Sequence, residues 1–127
     1  MPLERIQPDG LSKPPTYTHV IKAGNTIYLA GQTPQDENGQ AVGRGDITAQ
    51  AVKVFENIKT ALASAGAGFG DLVKITVYIT DPRYREAVGE VRRRYIGNEL
   101  PASTLVVVAG LANPDYLLEI EGVAVVG

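Results

Sequence analysis

From Leu117 to Val126 the chain reads "LLEIEGVAVV", an apolar strand interrupted by two acids. Side chains on a strand point to alternate faces with a period of two. Leu117, Glu119, Glu121, Val123 and Val125 therefore share one face, and Leu118, Ile120, Ala124 and Val126 the other. The same period runs through "LVKITVYIT", which groups Val73, Ile75, Val77 and Ile79. "HVIKAGNTIYLAG" reads as a hairpin: Val20 to Lys22, a turn at Gly24-Asn25, then Ile27 to Ala30. "STLVVVAG" supplies another strand, and a short one is expected near Glu4 to Gln7.

Two segments switch to helical spacing. Asp46 caps the first, where Ile47, Ala51, Val54, Phe55, Ile58, Leu62 and Ala65 recur every three or four residues before Gly66. Asp81-Pro82 opens the second, with Tyr84, Val88, Val91 and Tyr95 as its stripe and Gly97 at its end. The order predicts an α+β fold of about six strands in a mixed sheet, with two helices packed on one face. The other sheet face is too apolar for water, so a partner subunit in a closed cyclic assembly is expected to cover it.

Composition narrows the class. With 127 residues, 44% hydrophobic and 20% charged, the chain suits one packed domain over residues 1–127. The absence of cysteine removes disulfides, thiolate nucleophiles and thiolate metal sites, and a single histidine removes two-histidine chemistry. No cluster of histidines or cysteines is available to hold a metal ion. A net charge of −2 gives nucleic acid or an anionic membrane no purchase. The N-terminus lacks a signal-type apolar segment and no run is long enough to span a membrane, so a cytoplasmic location is expected.

The candidate chemistry is sparse. Five of seven arginines crowd residues 83–94, but consecutive residues fan around a helix, and Glu86 and Glu90 are spaced to pair with Arg93 and Arg94. "GAGFGD" precedes a strand instead of opening a helix, so it is no phosphate loop. His19, on a face with Tyr17, reads either as a partly exposed strand residue or as a ligand contact. Glu119 and Glu121 read either as a solvated rim or as carboxylates in a cleft, where desolvation raises a pKa towards neutrality and suits acid–base work.

The segments "TYTHVIKAGNTIYLAGQTP", "DLVKITVYITD", "LPAST" and "LLEIEGVAVV" together resemble the RidA (YjgF) family over nearly the whole chain. The resemblance implies a chorismate mutase-like α+β domain and a homotrimer with ligand clefts between subunits. It also implies cofactor-free hydrolysis of reactive 2-imino acids to 2-keto acids and ammonia. In that scheme an arginine clamps the substrate carboxylate, backbone groups hold the imine end and a glutamate positions water. The glutamate falls on Glu119, the cleft tyrosine on Tyr17 and the glycine of the family's "SGQ" on Gly31. The clamping arginine of a P-A-R-S pattern is replaced by Ser103, with Thr104 after it. The usual helix asparagine becomes Gly89, and the residue whose backbone faces the ligand becomes Leu105.

An arginine holds a carboxylate through two charge-assisted bonds of about 1.5–3 kcal/mol each, whereas a serine hydroxyl offers one neutral bond of about 0.5–1.5. Either Arg44 or a helix arginine reaches the cleft, or the substrate is less anionic than a 2-imino acid. The expected function is hydrolysis of a reactive imine or enamine, with Glu119 catalytic. Tyr17, His19, Gly31, Gly89, Ser103, Thr104 and Leu105 would contact the substrate, and Glu121 would play a supporting role. The alternative is a non-catalytic trimer that binds a small metabolite.

Overall fold

The computed structural model describes residues 2–127. Its six strands are β1 (Leu3–Ile6), β2 (Val20–Ala23), β3 (Thr26–Gln32), β4 (Leu72–Ile79), β5 (Ala102–Val107) and β6 (Leu118–Val125). They form one sheet in the order β1-β2-β3-β6-β4-β5. Every pairing is antiparallel except β4 with β5. Helices α1 (Ile47–Ser64) and α2 (Arg85–Ile96) pack on the same face of the sheet, as the two hydrophobic periods require.

The local chemistry follows the sequence closely. The Asp46 carboxylate accepts a hydrogen bond from the Ala49 N–H at 3.0 Å, capping α1. Asp81 accepts from the Arg83 N–H at 2.9 Å and starts a 3₁₀ turn, Pro82–Tyr84, that leads into α2. The even-numbered residues of β6 enter the core, with Leu118, Ile120 and Ala124 fully buried against Phe55, Ile58 and their neighbours.

Val73 departs from the expected alternation. The register between β4 and β6 shifts between Leu72 and Lys74, and the extra residue lets Leu72 reach the core while Val73 stays 46% exposed. Ile75, Val77 and Ile79 keep the buried face. The face away from the helices carries Tyr28 and Val106 beside Glu119 and Glu121, and β5 is an open edge. No helix among the described residues is long and apolar enough to cross a membrane.

Candidate active site

Glu119 sits on β6 opposite Tyr78 of β4, on the face away from the helices. On its other side β3 is irregular: the register with β6 shifts between Leu29 and Gln32, and Gly31 lies inside that break. The Glu119 side chain lies directly over Gly31. A Cβ added at Gly31 would stand 1.9 Å from Glu119 Oε2 and 2.8 Å from its Cδ. Gly31 is therefore required by space. The carboxylate is half-buried, and its pKa is raised first by desolvation and then by the Glu121 charge.

The neighbours respond to that charge. Burial raises the Tyr17 phenol pKa, and the nearby Glu119 carboxylate raises it further. The Tyr78 hydroxyl donates to Glu121 Oε1 at 3.1 Å, which ties the second acid to the sheet, whereas among the described residues no side-chain hydrogen bond or ion pair reaches the Glu119 carboxylate. The structure thus brings Glu119 over Gly31 and near Tyr17.

Ser103, Leu105 and Gly89 converge elsewhere. Ser103 pairs with Ile75 and Leu105 with Val77 in the parallel β4–β5 ladder, so their side chains lie on the helix face. They line an open groove of about 990 Å³ between β5 and α2, together with Gly89, Arg92, Val88 and Leu100. Arg92 Nη1 donates to Ser103 Oγ at 3.0 Å. Thr104 has the opposite parity and accepts from Lys74 Nζ at 2.7 Å on the face that carries Glu119. The two sets of residues therefore lie on opposite faces of one sheet.

His19 does not reach a cleft. It is only 2% exposed, just before β2, with its Nε2 2.8 Å from the Ser12 carbonyl and its Nδ1 3.1 Å from Gln32 Nε2. The Ser12 carbonyl requires a donor, so Nε2 carries the proton and Nδ1 accepts from the amide. The expectation of a partly exposed strand histidine gives way to a neutral, satisfied one, because both nitrogens are occupied before any ligand arrives. Burial lowers its pKa below the usual 6.5. Above that value the network is intact. As pH falls through it, the unfolded chain takes up a proton that the folded one resists, so stability declines. Thermal unfolding of His19→Ala should show a loss of about 1–3 kcal/mol near neutrality, from the unpaired Gln32 amide and Ser12 carbonyl. The variant should also lack this part of the wild-type acid dependence.

The arginines divide by partner. Arg83 forks onto Asp81, with its Nη2 2.6 Å from Oδ2, and draws that carboxyl's pKa down to about 2. Arg44 pairs with Asp115 at 3.2 Å in the loop before β6. The expected pairs of Glu86 and Glu90 with Arg93 and Arg94 are not among the ion pairs formed by the described residues, and all four residues are exposed. Sequence reasoning missed two buried amides. Gln50 bridges the Asp115 carbonyl and the Leu117 N–H, each at 2.8 Å, while Asn57 donates to the Thr33 and Gln35 carbonyls at 3.0 Å. They fix the loop that leads into β6 and the segment that follows β3. The only signal was polar residues set inside the apolar stripe of α1.

Comparison with known proteins identifies the family and the fold. The endoribonuclease L-PSP family model matches residues 11–126. A RutC family protein of Pyrococcus abyssi is 42% identical over 108 residues, covering 85% of this chain and 84% of that one. The 3-aminoacrylate deaminase RutC of Acinetobacter baylyi is 39% identical over 125 residues, 98% of each chain. Among solved structures, RidA from an Antarctic Psychrobacter superposes with a TM-score of 0.90 at 34% identity, covering 97% of this chain and 99% of that one. Escherichia coli TdcF with bound serine gives 0.85 at 28%, covering 97% and 98%. A six-stranded sheet with both helices on one face, agreeing in sequence and superposition over nearly its whole length, makes this chain a member of the endoribonuclease L-PSP family, the group that includes the RidA and RutC proteins.

Proposed function

We propose that the protein hydrolyses a small reactive imine or enamine, releasing ammonia, with Glu119 as the group that orients and deprotonates water. The observation that carries this reading is the half-buried Glu119 carboxylate held over Gly31 with a raised pKa. A carboxylate placed so is a stronger base than one in water. Water attacks the imine carbon as Glu119 takes its proton. Starting from the protonated imine, which an enamine becomes by taking a proton at carbon, the neutral carbinolamine receives the proton from Glu119 on its nitrogen; the C–N bond then breaks to release ammonia while the hydroxyl proton passes to the freed Glu119 carboxylate, leaving the oxo acid. The 39% identity to a 3-aminoacrylate deaminase supports an enamine acid as the first substrate to try. Serine bound in TdcF adds support for a small ligand bearing a carboxylate.

The site in this reading is shared between subunits of a homotrimer. Glu119, Gly31 and Tyr17 occupy one sheet face, while Ser103, Leu105 and Gly89 line a groove on the other. One substrate meets both sets only if they come from different copies. The exposed Tyr28, Val106 and Val125 and the unpaired β5 edge support burial between copies.

The direct test generates 2-iminopropionate or 3-aminoacrylate in situ and traps it with semicarbazide. Sub-stoichiometric protein should suppress semicarbazone formation; unchanged trapping by folded protein contradicts the reading. The pH profile should lose activity on the acid side as Glu119 protonates, above the ordinary glutamate range. Glu121→Gln removes the like charge and should move that limb to lower pH, though only in part, because desolvation is the larger cause.

A further inference from the structure

Of the five arginines in residues 83–94, Arg92 alone is partly buried; Arg83, Arg85 and Arg93, like Glu86, also border the groove but are exposed. The Arg92 guanidinium is partly buried in the groove between α2 and β5, and its pKa is lowered by desolvation alone. No carboxylate pairs with it among the described residues. Its side-chain bond goes to a neutral acceptor, Ser103 Oγ at 3.0 Å. A cation taken partly out of water without a counter-ion is costly unless a ligand supplies one. Gly89, one turn earlier on α2, leaves the space above the groove open: a Cβ there would meet nothing closer than Arg93 Nη1 at 3.9 Å. Val77, Val88 and Leu105 form an apolar floor beside the guanidinium. The arrangement suits a short apolar stem ending in one anionic group.

We propose that Arg92, aimed by the Ser103 hydroxyl, is the carboxylate-binding residue of this protein, so that its ligands are short monocarboxylates and not uncharged imines. The inference rests on the proposed hydrolase site and gives it a substrate class. It reverses the simplest consequence of a serine at position 103. The strand does not lose its cation; a helix arginine reaches the same hydroxyl from across the groove. Ser103 is then a positioning residue, since it acts through Arg92. The guanidinium keeps its remaining N–H donors for a carboxylate, which it meets through paired bonds that lysine does not reproduce.

The test uses pyruvate, the stable product of 2-iminopropionate hydrolysis, and pyruvamide, its uncharged isostere, titrated calorimetrically into the intact protein. Wild type should bind pyruvate saturably and pyruvamide at least about tenfold more weakly, the loss of one charge-assisted bond at the low end of its range. Arg92→Leu should lose the preference for pyruvate, and Arg92→Lys should retain only part of it. The lysine variant keeps charge and stem length, so it guards against a fold defect in the leucine variant. Equal pyruvate affinity in wild type and Arg92→Leu, or no saturable pyruvate binding by wild type, overturns the inference. Arg92-dependent pyruvate binding by a protein that consumes neither imine nor enamine overturns the hydrolase reading alone. Turnover with Arg92-independent pyruvate binding overturns only the role of Arg92.

Discussion

Glu119→Gln should abolish measurable ammonia release while leaving the assembly folded. Glutamine matches glutamate in shape and still fits over Gly31, but it accepts no proton from water. Removing a positioned general base costs about 10²–10⁴-fold in rate, and the loss should fall on kcat and leave KM near its wild-type value. The stability effect has the opposite sign. The folded-state pKa of Glu119 lies above the ordinary 4.5, so its contribution to stability is fully present below that value and is lost as pH rises through the folded pKa. Wherever Glu119 is ionised the wild type bears the cost of a desolvated charge beside Glu121, which glutamine lacks. The variant should therefore melt at the same temperature or higher. A dead variant that melts much lower would point to a structural role for Glu119.

Gly31→Ala should be nearly as damaging to activity, by a different route. The new methyl would stand 1.9 Å from Glu119 Oε2, 2.8 Å from Cδ and 3.0 Å from Cγ, so the carboxylate must move. What gives way is the end of a flexible, half-exposed side chain and not the backbone, so the fold itself should lose only about 1 kcal/mol or less. Misplacing a catalytic group by about 1 Å costs about 10²-fold in rate, and here the displacement is larger. Activity should drop by at least that factor while the melting transition barely shifts. An active Gly31→Ala protein would mean that the carboxylate does not work from its position over β3.

Much of this site was legible in the chain because strand parity is a strong rule. Putting Leu118, Ile120 and Ala124 inward forces Glu119 and Glu121 onto the opposite face, and the structure follows. The same parity failed at Val73, because the bulge beside Leu72 is a property of backbone pairing that side-chain pattern does not encode. Parity also separates Ser103 from Thr104, but only once the partner strand and its register are known. The inward turn of Arg92 was hidden among Arg92, Arg93 and Arg94. Neighbouring helix positions differ by about 100°, and which one meets the groove depends on how α2 sits against β5. His19 was misread for a related reason: its partners, Ser12 and Gln32, come from a loop and from the end of the neighbouring strand β3.

The measurement closest to the central claim is ammonia release from freshly generated 3-aminoacrylate, followed side by side for wild type and Glu119→Gln at matched protein and neutral pH. Multiple turnovers by wild type and a loss of about 10²-fold or more in the variant are the predicted result. Equal rates for the two proteins, or no turnover by folded wild type on either 3-aminoacrylate or 2-iminopropionate, would contradict it.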